Sequence, residues 1–151
     1  MPVGTSTFIR DSVLFIRDLL RTGVTDPISA TRSSSSQFVM TSYPRRPTEY
    51  PLISIQLRGA ATAFVGGMQS EAMMPKLRYE IRVWARNHKE KDQISEDVID
   101  TLRDEMLTAS TGTVAYGLHD YLLRSLTPLD ESGENGPVSN ILEVEYLLIL
   151  S

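Results

Sequence analysis

The residues whose types could do chemistry are six carboxylates spread along one segment and two histidines. Asp92, Glu96, Asp97, Asp100, Asp104 and Glu105 could hold magnesium or move protons if they converged. They are interleaved with Lys89, Lys91 and Arg103, and neighbours such as Glu96 and Asp100 repel one another at helical spacing. That pattern decorates a wet helix face rather than building a site. His88 falls in a predicted first helical turn and His119 at the start of a predicted strand. Neither has a second histidine at ligand spacing, so both read as solvated side chains.

No Gly-x-Ser-x-Gly elbow surrounds any serine, and Gly66-Gly67 belongs to no phosphate-cradling loop. With no convergent nucleophile, base and acid, the chain is expected not to be an enzyme and to need no cofactor or metal. The absence of cysteine excludes disulfides and thiolate ligands. A net charge of -4 and a pI near 5.2 argue against a tight nucleic-acid binder, which needs a basic footprint. No apolar run approaches the ~20 residues of a membrane span, and Met1–Thr7 lacks the pattern of a signal peptide.

The elements that would carry these residues are legible from periodicity. Phe8, Ile9, Val13, Ile16, Leu19 and Leu20 recur at helical spacing, with Thr5 or Ser6 as cap. Gly23 is placed to end this helix in a left-handed turn. A short strand is expected at Gln37–Thr41, then strands at Leu52–Arg58 and Leu77–Arg86. In the last, Leu77, Tyr79, Ile81, Val83 and Ala85 alternate with Arg78, Glu80, Arg82, Trp84 and Arg86. Asn87 and Glu90 form a capping box for a helix running to about Ala109, with Ile94, Val98, Leu102 and Met106 as its buried stripe. Strands at Asp120–Thr127 and Asn140–Leu150 close the chain.

The 151 residues therefore predict a single α+β domain spanning 1–151, in the order α-β-β-β-α-β-β. Its mostly antiparallel sheet of about five strands carries two main helices on one face.

Between strands 2 and 3 lies a long insert, Gly59–Lys76, longer than the roughly 12–15 residues that a structureless loop normally reaches. It is rich in glycine, alanine and methionine. Phe64, Val65, Met68, Met73 and Met74 make it a candidate flexible arm for a partner protein, since methionine adapts to irregular apolar surfaces. Arg45 and Arg46, between prolines and near Tyr43 and Tyr50, read as a rim contact to an acidic neighbouring subunit, with Asp130, Glu131 and Glu134 as one complement. Trp84 stands on the polar register of its strand. It is either tucked under the second helix or a subunit-interface anchor.

The layout resembles a family of small neck proteins in long-tailed viruses. The carriers are the Tyr43-Pro44 segment, Glu49-Tyr50-Pro51-Leu52-Ile53-Ser54-Ile55-Gln56-Leu57, the long insert, and the strand-to-helix unit Leu77–Arg103. These are similar to tail terminator or tail completion proteins of bacteriophages and archaeal tailed viruses. The resemblance implies a virion protein assembled in the host cytoplasm. It would form a ring, usually a hexamer, with the sheet as inner layer. Its partners would be itself, the tail tube protein and a head-side adaptor or completion protein, with DNA passing through unbound and no membrane. A head-completion adaptor is the nearest alternative. A hydrolase or transferase, or a binding module using Tyr43–Pro47, belongs to other classes.

Overall fold

The computed structural model describes residues 8–41, 49–64, 73–105, 117–129 and 137–148. It contains α1 (Phe8–Gly23), a 3-10 turn (Ser35–Gln37), β1 (Val39–Met40), β2 (Leu52–Phe64), β3 (Met73–Ala85), α2 (His88–Asp104), β4 (Leu118–Leu129) and β5 (Val138–Leu148). The architecture is the expected α+β one. One five-stranded sheet has the order β1-β2-β3-β5-β4. Its main pairings are antiparallel, and β1 adds a short parallel bridge from Val39 and Met40 to Ile53 and Ser54.

Alternation along β3 decides the two faces. Leu77, Tyr79, Ile81, Val83 and Ala85 are buried, level with Leu57, Ile55 and Ile53 of β2 and with Tyr146, Val144 and Leu142 of β5. Ile16 and Leu20 of α1 join Ile94, Val98 and Leu102 of α2 in the core over this face. Met106, the expected fourth member of the α2 stripe, lies outside the described residues.

Local contacts fix each helix. Asn87 accepts a 2.9 Å bond from the Glu90 N–H, as a cap should. The Glu90 carboxylate reaches back to the Arg86 N–H and guanidinium rather than to Asn87. Ser12, buried in α1, takes a hydrogen bond from the Tyr79 hydroxyl and so ties the helix to the central strand. Arg21 donates to the Val39 carbonyl at 2.9 Å and to that of Ser36 at 3.1 Å, fastening the end of α1 to the sheet edge.

Two expectations need correction. Gly23 does not end α1 in a left-handed turn; among the described glycines only Gly117 has positive φ. A Cβ on Gly23 would stand 2.3 Å from Thr101 Cγ2 of α2, so glycine is needed for close helix approach rather than for backbone freedom. The stretch Gly59–Lys76, expected as a loop, is mostly paired strand. Gly59 to Phe64 continue β2 and pair with Arg78 back to Met73. A bulge between Leu57 and Gly59 shifts the register there, which breaks the period-two pattern by which a strand is read from sequence. Small alanines hid the rest, since backbone pairing needs no side-chain signal.

Gly23→Ala should lower stability by about 1–3 kcal/mol through overpacking against α2. Adding Thr101→Ala should restore most of it. Urea unfolding of the single and double variants checks this; equal losses in both would place the cost elsewhere.

Candidate assembly surface

The sheet face turned away from the helices holds the charged register of β3. Arg58 and Glu80 pair at 2.9 Å. Glu145 of β5 is buried and accepts from Arg124 of β4 at 2.8 Å and Arg78 of β3 at 3.2 Å. Arg82 bonds the Ser139 hydroxyl at 3.3 Å and lies 3.8 Å from the centroid of the Trp84 ring, a cation–π stack. Tyr50 packs against the same tryptophan at a centroid distance of 6.4 Å.

On this face the carboxylates of Glu80 and Glu145 pair with guanidiniums, and Arg58, Arg78, Arg82 and Arg124 are engaged within it. What it offers is a rigid polar surface with one aromatic platform. Burial alone would raise the Glu145 pKa, but the bonds from Arg124 and Arg78 outweigh it and hold the carboxyl below its ordinary value.

On the helix side, a groove of about 300 Å3 opens where β1 stops short. Ile9, Arg10, Val13 and Leu14 of α1 form one wall, Ile55, Gln56 and Leu57 of β2 the other, with Thr41 at one end. At the opposite edge, β4 leaves Leu122 and Leu126 exposed.

The expected site residues distribute unevenly. Trp84 is not under α2. It is level with Leu52 and Ser139 on the face opposite the helices, half-buried. Phe64 pairs with Met73 and Ala63 with Met74 at the far end of the β2–β3 ribbon. Val65, Met68, Arg45, Arg46, Asp130, Glu131 and Glu134 lie outside the described residues. On α2, Arg103 pairs with Asp100 at 3.0 Å and with Asp104 at 3.3 Å. Asp92 stands 3.7 Å from Lys91. His88 Nδ1 lies 3.2 Å from Lys91 Nζ, and His119 is level with Leu147 on the first rungs of β4.

Sequence reasoning missed the Arg78–Glu145–Arg124 cluster and the β4 leucines. The first had a signal: alternating charges on β3 opposite Glu143 and Glu145 are what adjacent antiparallel strands would bring together.

No protein-family model matches the sequence, and no curated protein matches it either. Among solved structures, a chain from the virion of a native gene transfer agent (GTA) particle is similar at a TM-score of 0.50. The two are 11% identical, and the likeness covers 91% of this chain and 96% of that one. They share a fold. The correspondence extends over nearly all of both chains, so it takes in the helices and the sheet together. No helix among the described residues is long and apolar enough to cross a membrane.

The sign of the Glu145 effect on pH follows from its depressed pKa. Its contribution is full above the unfolded glutamate value of about 4.3 and is lost as pH falls through the folded value. Glu145→Gln should therefore cost about 1 kcal/mol at neutral pH, given the half-exposed guanidiniums, and the difference from wild type should vanish in acid. Urea midpoints across pH measure it. A constant gap would rule out the ionic origin.

Proposed function

We propose that this protein is a non-catalytic structural component of a virus-like particle, a tail terminator or tail completion protein of the head–tail neck. Copies of it form a ring, in the manner of a hexamer, that caps the tail tube and receives the head-side adaptor. The observation that carries this reading is the fold shared end to end with a chain of a gene transfer agent virion. The neck-protein resemblance of Leu77–Arg103 and the segment leading into β2 supplies the finer assignment.

Two features of the structure support parts of this reading. The β2–β3 ribbon outruns β5, whose pairing with β3 ends at Lys76 and Leu147. Among the described residues it is two-stranded from Thr62–Pro75 to Phe64–Met73, a form only marginally stable alone in water. A ribbon of that kind gains most when another protein covers it, which suits the arm that reaches the adjoining tube or adaptor. Passage of DNA without capture is supported by the acidic chain and by Arg58, Arg78 and Arg124 being paired with Glu80 and Glu145. A guanidinium already neutralised releases few counterions on meeting phosphate.

Particles assembled without the protein test the role. Headless tails of uncontrolled length are the expected result. Headless tails of normal length would instead indicate a head-completion adaptor, and infectious normal particles would remove the neck reading.

The ribbon has its own test. Replacing Ala61–Lys76 by a two-residue Asn-Gly turn joins the Ala60–Leu77 rung and leaves the core rungs intact. The variant should fold, as seen by circular dichroism, yet fail to co-sediment with tail tubes or the head-side partner. Retained co-sedimentation would make the ribbon dispensable for docking.

A further inference from the structure

The large hydrophobic side chains left exposed among the described residues stand at opposite edges of the sheet. Leu122 is 51% exposed and Leu126 42% on β4, while Ile9, also 51% exposed, stands at the mouth of the α1–β2 groove. One edge carries a knob and the other a hole.

The strand registers bring the two into line. Leu126 pairs with Leu142, Leu142 with Ile81, and Ile81 with Ile55, forming one rung across β4, β5, β3 and β2. Ile55 lines the groove. Leu126 shares the helix-side face with Leu142, and the groove opens on that face. Successive antiparallel pairings also mean that β4 runs opposite to β2. A second copy set beside β4 without slip along the strands therefore presents its groove to Leu126, with its β2 antiparallel to β4.

We propose that copies of this chain join head to tail, with Leu126 of one seated in the α1–β2 groove of the next. The inference deepens the ring reading above, on which it rests for its biological setting. Charge does not oppose the pairing: Arg10 at the groove rim is balanced by Asp11 at 3.6 Å, and Asp100 of α2 by Arg103 at 3.0 Å, so the fit of Leu126 to the groove carries the contact. The β4 edge carries bulges between His119 and Leu122 and between Leu123 and Ser125, and Pro128 near its end. Such edges resist continuous strand addition, so the leucine and the groove hold the contact rather than a long backbone ladder. Such a heterologous contact closes as a ring where its rotation divides a full turn with no rise along the axis, and otherwise winds a filament.

The chain has no cysteine, so introduced thiols are the only ones present. Thr127→Cys and Arg10→Cys alter exposed positions beside the leucine and at the groove rim, leaving Leu126, Ile9 and the core in place. Treated with a short bismaleimide at high protein concentration, the double variant should give a ladder of covalent oligomers ending at one closed size. A mixture of the two single variants should stop at a dimer, and each single variant alone should give none.

Cross-linked dimers of Thr127→Cys alone would mean a two-fold contact and overturn the proposal. So would oligomers detected by light scattering that yield no cross-link, or a protein that stays monomeric and unlinked at every concentration. The neck role is judged separately. A closed ladder from a protein missing from virus particles would remove that role and keep the interface, whereas particles containing an unlinkable double variant would do the reverse.

Discussion

The pairing of β3 on both sides is the constraint from which the other parts take their positions. A strand hydrogen-bonded to β2 and β5 along most of its length cannot rotate or slip without moving every side chain to the wrong face. Its apolar register then requires a cover, which α1 and α2 provide, and its charged register must face away. The ion pairs of the outer face follow as a consequence: Glu80 lies on β3 itself, and Glu145 sits directly across from Arg78. Among the described residues, the ladder between β2 and β3 continues past the last β3–β5 rung as a two-stranded ribbon.

A second, smaller constraint orders the path into β2. Arg32 is buried and donates to both carboxylate oxygens of Asp26, to the Glu49 carbonyl at 2.8 Å and to the Pro51 carbonyl. Its guanidinium also lies 5.3 Å from the Phe38 ring centroid. Burying such a charge is costly unless its donors are met, and here carbonyls and a carboxylate meet them from several directions. Burial raises the Asp26 pKa, but the bonds from Arg32 and the Ile28 N–H prevail and leave it lowered. Glu49 is in turn bonded by the Ser33 hydroxyl at 2.6 Å and backbone N–H at 3.0 Å. Between α1 and β2 the described residues form only the 3-10 turn and the two-residue β1, so this cluster does what a ladder does elsewhere: it sets where β2 begins.

How far the fold could be read from sequence depended on whether a residue's role was repeated at a period. The α2 stripe of Ile94, Val98 and Leu102 and the alternation of Leu77 to Ala85 repeat regularly, and both were legible. The ribbon was not, because the bulge after Leu57 changes parity and alanines carry little strand preference. Gly23 was given the wrong reason, since an approach to Thr101 across two helices leaves no mark near Gly23 in the sequence. Arg32 was missed for the same cause: its partners at Asp26, Glu49 and Pro51 come together only in three dimensions. Of the candidate surface, Trp84 was singled out by its register, but its partners Arg82 and Tyr50 were not.

The two edges of the sheet are treated differently, and the difference bears on assembly. The β4 edge is long but interrupted by bulges, with Asp120 in a left-handed conformation at φ 54°. That is the kind of irregularity that discourages indiscriminate strand pairing. Yet the same edge exposes two leucines, where a protected edge of a lone domain would more often carry charge. Among the described residues, β1 covers the opposite edge for two rungs, and an apolar groove lies beyond it. An edge that disfavours backbone pairing while presenting apolar side chains suits one shaped partner, as the proposed contact requires. Specificity then comes from fitting a side chain to a hole rather than from the ladder, which any extended chain could join.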